Sequence, residues 1–232
     1  MEGNTKIWIQ VARVQEALAI MQTAHPDVLI AQGNDAGGHG MKRSASIISL
    51  VPEMKDALAK EGFTNTTVLA AGGIVDGRGT AAALMLGADG VVMGTRFLVA
   101  EEALIAKGYQ DEIVHAADGG VTTVRSRLFD RVKQTNGWPD AYDGRAFVNR
   151  TYHDAEQGML VDENIRLQKE ELSRGDNAGG SEARVIRYVG PGVGLIKGIS
   201  PAADIVHEIV EQTQAILRRT GASLEVDQHS KH

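Results

Sequence analysis

The sequence contains no cysteine, few aromatic residues and no long hydrophobic run. Without cysteine, a disulfide framework, a thiolate nucleophile and a zinc–thiolate site are excluded. Aromatic residues make up only 4% of the chain, which argues against a surface that stacks nucleic-acid bases. No apolar run approaches the roughly 18 residues that a membrane span requires, and the first residues, MEGNTK, lack the apolar core of a signal peptide. A cytoplasmic location is therefore the default expectation.

Positive charge is also scarce. The 232 residues include 24 Lys and Arg against 30 Asp and Glu, which gives a formal net charge of −6. This balance predicts no general attraction to nucleic acid or to an anionic membrane. Hydrophobic residues make up 43% of the chain and charged residues 23%, as is typical of a globular protein with one large domain or two small ones.

Four apolar segments alternate with segments of helical periodicity over the first hundred residues. The predicted strands are residues 7–11, 27–32, 66–71 and 89–93. The helices predicted between them are residues 12–24, 44–60 and 77–86. Near-continuous apolar strands separated by helices predict a parallel sheet, whose right-handed crossovers bring all four carboxyl ends to one edge. Ligands bind at that edge in α/β folds, and the short repeats favour TIM-barrel-type (β/α) units over a doubly wound sheet.

Three glycine-rich segments lie at this predicted ligand edge. They are AQGNDAGGHG at 31–40, VLAAGGIVDGRG at 68–79 and GADGVVMGTRF at 87–97. Glycine adopts positive φ readily and lets a phosphate approach the backbone, whose N–H groups then bond its oxygens. One such loop could be a simple turn, but two separated by a single βα unit indicate a phosphate site. The residues placed at this site are Gly72, Gly73, Gly94 and Thr95.

One histidine belongs to the first of these segments. His39 follows Gly37 and Gly38 just beyond the second predicted strand. Histidine titrates near neutral pH, so it can take a proton from a carbon acid or bind an anionic substrate. A lone histidine is more often structural or solvated. At the edge where ligands bind, however, a histidine is costly to use only for packing. This position favours the interpretation of His39 as a catalytic residue.

The remaining polar residues at this edge give weaker signals. Asp35 and Asp76 are predicted to cap the helices that follow them, and Arg78 could either bind a phosphate or be exposed. No pair of histidines has metal-ligand spacing in a suitable segment, so no metal site is predicted. No G-x-S-x-G elbow, Walker loop or G-x-G-x-x-G motif follows a strand.

Together these segments resemble the nitronate monooxygenase family, formerly called 2-nitropropane dioxygenases. The motifs that carry the resemblance are AQGNDAGGHG, VLAAGGIVDGRGTAAALMLGADGVVMGTRFL and, near the end, GVGLI followed by PAADIVHEIV. The resemblance is close over residues 7–105, recurs at about 190–212 and is less diagnostic between them. It implies a TIM barrel that binds FMN noncovalently and oxidises nitronates or nitroalkanes with O₂ to a carbonyl compound and nitrite. The flavin would supply the electron chemistry.

The resemblance also implies roles for individual residues. His39 matches the family's catalytic histidine, which would abstract the α-proton of a nitroalkane or orient a nitronate. Gln32, Gly37 and Gly38 would lie near the isoalloxazine ring. The remaining residues of the implied FMN site are Ala71, Gly72, Gly73, Met93, Gly94 and Thr95. Two alternatives stay open: a flavin-dependent enoyl-acyl-carrier-protein reductase, which has a similar GGH loop, and a truncated non-catalytic remnant.

The order of the matching motifs implies that the four strands correspond to the last four strands of the family's barrel. Residues 1–105 are thus expected to form the C-terminal half of an FMN-binding TIM barrel, and residues 106–190 a helical and irregular appendage without strands. A return segment and closing helix follow at 191–220, and a flexible tail at 221–232. A barrel needs eight strands, and an open half-sheet exposes an edge and apolar faces. We therefore expect marginal stability or self-association, and weak binding of FMN.

Overall fold

A computed structural model of the chain describes residues 5–135, 137–175, 180 and 182–229, with side chains up to residue 221. The strands are β1 Trp8–Val11, β2 Val28–Gln32, β3 Gly38–Met41, β4 Thr67–Ala71, β5 Gly90–Val92, β6 Thr123–Ser126 and β7 Tyr142–Phe147. The α-helices are α1 Val14–Thr23, α2 Ile47–Lys60, α3 Gly77–Met85, α4 Thr95–Leu98, α5 Lys107–His115, α6 Gly119–Thr122, α7 Leu128–Lys133, α8 Arg150–Glu156, α9 Val161–Ser173 and α10 Ala202–His229. A short 3-10 helix covers Pro191–Leu195.

The first sheet has four parallel strands in the order β1-β2-β4-β5. Each strand lies within one or two residues of its predicted position, as do the helices α1 and α3. Leu29 and Val68 on adjacent strands are fully buried, and they pack in one cluster with Met54 of α2. This burial accounts for the apolar residues on the helix side of these strands.

The second sheet corrects the prediction for residues 106–190. It is antiparallel, with the order β3-β7-β6, so the segment expected to lack strands supplies two of them. The third strand, β3, belongs to the first glycine-rich loop and contains His39. The strands were missed because β6 (TVRS) and β7 (YDGRAF) carry charged and small residues where apolar ones were expected.

The helices of the second half also differ from prediction. The predicted appendage contains the helix α9, on which Asn164 and Gln168 are buried. The closing helix, predicted within 191–220, continues as α10 to His229, which corrects the predicted start of a tail at 221. Residues 230–232 of that tail lie outside the described residues. The α10 helix packs on α3, where the Gly77 N–H donates to Gln212 Oε1 at 3.1 Å.

The first sheet ends at β1 on one side and β5 on the other. Ile7 and Trp8 at the β1 edge are 47% and 57% exposed. Self-association through such an edge stays a prediction. Among the described residues, no helix combines the length and apolar character needed to cross a membrane.

The start of α3, just after the second glycine-rich loop, has the cap predicted for it. The Asp76 carboxylate accepts hydrogen bonds from the N–H groups of Arg78 at 2.9 Å and Gly79 at 3.1 Å. Burial alone would raise the pKa of this carboxyl, but these bonds and the Arg78 guanidinium outweigh burial and hold the pKa below its ordinary 3.8. The prediction is confirmed for Asp76. It is wrong for Asp35, which is followed by β3 rather than by a helix.

Removing this cap gives a prediction with a defined pH dependence. Asp76→Ala is expected to lower the free energy of unfolding by about 1 kcal/mol at pH 7, measured by urea denaturation. Because the folded-state pKa lies below the unfolded one, the stabilisation is present above pH 3.8 and is lost as the pH falls through the folded value. Ser46→Ala is the control, since Ser46 precedes α2 without a side-chain capping bond. Equal losses in both variants would contradict the assignment.

Candidate active site

A cavity of about 170 Å³ lies at the carboxyl ends of β2, β4 and β5. Most of the residues predicted to bind a cofactor line it: Gln32, Gly37, Ala71, Gly72, Gly73, Gly94 and Thr95. The parallel strands thus bring together three segments that are up to sixty residues apart in sequence. Its volume is below that of pockets that enclose a whole small-molecule ligand, and suits a group the size of a phosphate.

The second glycine-rich loop enters the cavity in a conformation that requires glycine. Gly72 and Gly73 have φ of +106° and +75°, in the left-handed region. A Cβ at Gly72 would lie 2.8 Å from the Ala36 nitrogen, so the first and second loops approach each other through their backbones. The two loops therefore form one wall of the cavity in which backbone groups approach closely.

The third loop completes the cavity together with a segment that sequence reasoning missed as a site. Nothing lies within 4 Å of the position a Cβ would take at Gly94, so this backbone borders open space. Thr95 Oγ1 accepts a hydrogen bond from the Gly190 N–H at 2.9 Å, which leaves the hydroxyl proton available to donate. Gly190 and Gly192 also line the cavity. Their segment was predicted as a return segment, and its GVGLI stretch, starting at Gly192, carries part of the family resemblance, but neither glycine was placed at the site.

Two residues of the predicted cofactor set lie elsewhere. Gly38 begins β3 with φ of +70°, and the atom nearest to the position a Cβ would take there is the Cβ of Tyr188, at 4.0 Å. Met93 packs against two hydrophobic clusters and lines an apolar groove beside α10. Neither lines the cavity, so the structure does not group them with the other predicted residues.

His39 lies on β3 and makes close contacts with three residues of the second half of the chain. Its Nε2 is 2.6 Å from Asp130 Oδ1, and the side chains of the pair are 14% and 4% exposed. The Trp138 ring stacks on the imidazole, with ring centres 4.0 Å apart and planes 9° from parallel. Tyr188 packs from another side at 5.1 Å. The imidazole is therefore held in a fixed plane by one hydrogen bond and two aromatic contacts.

The Asp130 carboxylate is the centre of this group. Its Oδ1 also accepts from the hydroxyls of Thr135 at 3.2 Å and Tyr188 at 3.5 Å, while Oδ2 is buried with no hydrogen-bond partner among the described residues. Burial and the adjacent Asp130 carboxylate raise the pKa of the Tyr188 phenol, which stays protonated as a donor. No motif or periodic pattern pointed to Asp130, Trp138 or Tyr188, because all three lie in the segment assigned to an appendage.

The backbone around His39 is anchored by polar side chains on the opposite face of β3. Gln32 Nε2 donates to the His39 carbonyl at 3.2 Å. Gln32 therefore both lines the cavity and hydrogen-bonds to the backbone of β3. Arg125 donates to the carbonyls of Asn34 and Ala36 at 3.4 Å each and pairs with Asp143 at 2.7 Å. The cavity and the His39 group are thus parts of one connected site. Among the described residues no cluster of side chains could hold a metal ion.

Comparison with known proteins agrees with this arrangement. A family model described as "NMO: Nitronate monooxygenase" matches residues 2–212. The chain is 47% identical over 223 residues to nitronate monooxygenase npaC of Metarhizium robertsii, covering 95% of this chain and 62% of that protein. It is 41% identical over 217 residues to a nitronate monooxygenase of Neurospora crassa, covering 93% of this chain and 56% of that protein. The chain thus spans about six-tenths of the length of these relatives.

A solved structure shares the fold. FabK from Thermotoga maritima superposes with a TM-score of 0.72 at 26% identity, covering 96% of this chain and 65% of that chain. This match confirms the predicted α/β class with TIM-barrel-type units, and it extends over the antiparallel sheet that carries His39. The family match covers most of the chain, including all three glycine-rich segments. The chain therefore belongs to the nitronate monooxygenase family.

Proposed function

We propose that this chain carries the FMN phosphate site and the catalytic histidine of an enzyme that oxidises nitronates or nitroalkanes with O₂. One observation supports this best: Gln32 joins the phosphate-sized cavity to the strand that presents His39. The family to which the chain belongs points to the same chemistry. The substrates are small molecules, and a cytoplasmic location, with no nucleic-acid or membrane partner, belongs to the same proposal on sequence grounds.

The cavity fits the phosphate of FMN. The Gly94 backbone borders open space, and the N–H groups of Gly72, Gly73 and Gly94, with the Thr95 hydroxyl, are donors for anionic oxygens. When bound, the isoalloxazine of FMN would supply the electron chemistry. FMN is favoured over a larger flavin nucleotide because the cavity suits a terminal phosphate and is lined by backbone on several sides.

The protein's own contribution is to bind, orient and move a proton. With a neutral nitroalkane, His39 would take the α-proton, leaving the substrate as its nitronate. With a nitronate, that proton is already absent, and His39 would orient the anion. Gln32 fixes the His39 backbone and Asp130 its side chain, so that the base is presented in one geometry.

The proposal is tested by nitrite release. The chain saturated with FMN is expected to form nitrite in air from nitroethane and from propionate 3-nitronate, measured colorimetrically against FMN alone. Anaerobic addition of NADH is the second arm, because bleaching of the flavin would favour an enoyl-acyl-carrier-protein reductase. Folded, FMN-saturated protein that releases no nitrite from either substrate would contradict the proposal and favour a non-catalytic remnant.

A further inference from the structure

The proposed reaction asks for a histidine with one nitrogen able to accept a proton. Neutral imidazole has one protonated and one unprotonated nitrogen, and the partner of the first decides which is which. In this structure His39 Nε2 lies 2.6 Å from Asp130 Oδ1. An ionised carboxylate only accepts, so this contact requires the proton on Nε2.

The Asp130 carboxylate is unusually well placed for this task. Its side chain is 4% exposed, and its Oδ1 is also held by the hydroxyls of Thr135 and Tyr188. Within the described part of the chain, no hydrogen bond reaches His39 Nδ1. The stacked Trp138 ring restricts tilting of the imidazole out of its plane. The same contacts that bury Nε2 therefore leave Nδ1 as the nitrogen with a lone pair to use.

We infer that Asp130 is a positioning residue that keeps His39 protonated on Nε2 and makes Nδ1 the atom that accepts the substrate proton. This inference rests on the proposed function and assigns a role to the segment between the barrel-type units and the closing helix. The α7 helix, which carries Asp130, and the following loop with Trp138 would thereby form part of the site.

Asparagine at position 130 breaks this arrangement with little change in shape. The hydroxyls of Thr135 and Tyr188 beside Oδ1 can either donate or accept, so they fit the amide in both orientations. Among the described residues, the Oδ2 position has no hydrogen-bond partner that would favour one of them. When the amide turns its NH₂ group toward Nε2, that nitrogen must accept, and the ring proton moves to Nδ1. The variant should therefore populate the tautomer that cannot act as the base.

The first measurement is the tautomer itself, read without flavin or substrate. Long-range ¹H–¹⁵N correlation spectra of ¹⁵N-histidine-labelled protein at about pH 8, above the ordinary titration range of histidine, distinguish the two nitrogens. We expect wild-type His39 to be protonated on Nε2, and Asp130→Asn to show a large share of Nδ1-protonated ring. Asp154→Asn is the matched control, because Asp154 is a buried carboxylate on α8 that pairs with Arg184 and Arg150 and not with His39, so His39 should stay protonated on Nε2. A wild-type ring protonated on Nδ1 overturns the inference, even if Asp130→Asn fails to fold.

The second measurement separates positioning from general structural damage. Asp130→Asn is expected to lower kcat/KM for nitroethane on the order of 10²- to 10⁴-fold, and to affect propionate 3-nitronate far less, because that substrate needs no proton transfer. Equal losses on both substrates would overturn the inference while leaving the proposed function standing. A wild-type chain inactive on both would overturn the proposed function, and the tautomer spectra would still decide the role of Asp130.

Discussion

Replacing His39 by asparagine is expected to lower kcat/KM for nitroethane by roughly 10²- to 10⁴-fold, the usual contribution of a positioned general base. Asparagine keeps a polar group of similar reach at β3 but cannot take a proton. The loss should be much smaller for propionate 3-nitronate, which enters already ionised. Steady-state nitrite release with both substrates measures the difference.

The control variant for this experiment is His207→Asn. His207 is exposed on α10, pairs with Glu211 at 3.1 Å and does not line the cavity, so activity should be unchanged. FMN affinity, followed by flavin fluorescence, should stay within about threefold of wild type in both variants, because the cavity is lined mainly by backbone groups. A His39→Asn variant that retains full activity on nitroethane would show that another group accepts the proton.

The convergence of the glycine-rich segments on one cavity could be predicted from the sequence because its signals are local. Each glycine-rich segment follows an apolar strand of the right length, and parallel strands place their carboxyl ends together without further information. Gly72, Gly73, Gly94 and Thr95 thus come to one cavity, as the βα order predicts. The cap at Asp76 is equally local, since it depends on residues two and three positions away.

The surroundings of His39 could not be predicted in the same way. Asp130 is 91 residues from His39, and no periodic pattern or motif links the two segments. The pairing depends on the antiparallel sheet, in which His39 lies opposite Gly144 on β7. A Cβ at Gly144 would meet the Tyr188 ring at 2.6 Å, so this glycine makes room for the aromatic contact beside His39. Such contacts arise from tertiary packing and leave little trace in a single sequence.

The second large effect is expected at Gly37, where the first loop meets the return segment. A Cβ there would lie 2.3 Å from the nitrogen of Gly190 and 2.4 Å from the carbonyl carbon of Val189, both backbone atoms. No side-chain rotation can relieve this clash, so Gly37→Ala must push the two segments apart. The free energy of unfolding should fall by about 2–4 kcal/mol in urea denaturation, a size typical of overpacking and of severe single mutations.

The same displacement should weaken FMN binding, because Gly190 donates to Thr95 and both residues line the phosphate cavity. We expect the dissociation constant for FMN, measured by fluorescence titration under conditions where the variant is folded, to rise at least about tenfold, equivalent to roughly 1.4 kcal/mol. Gly198→Ala is the matched control, since nothing lies within 4 Å of its Cβ position, and both quantities should be unchanged. If Gly37→Ala lost stability but bound FMN like wild type, the return segment would be a structural support and not a wall of the cofactor site.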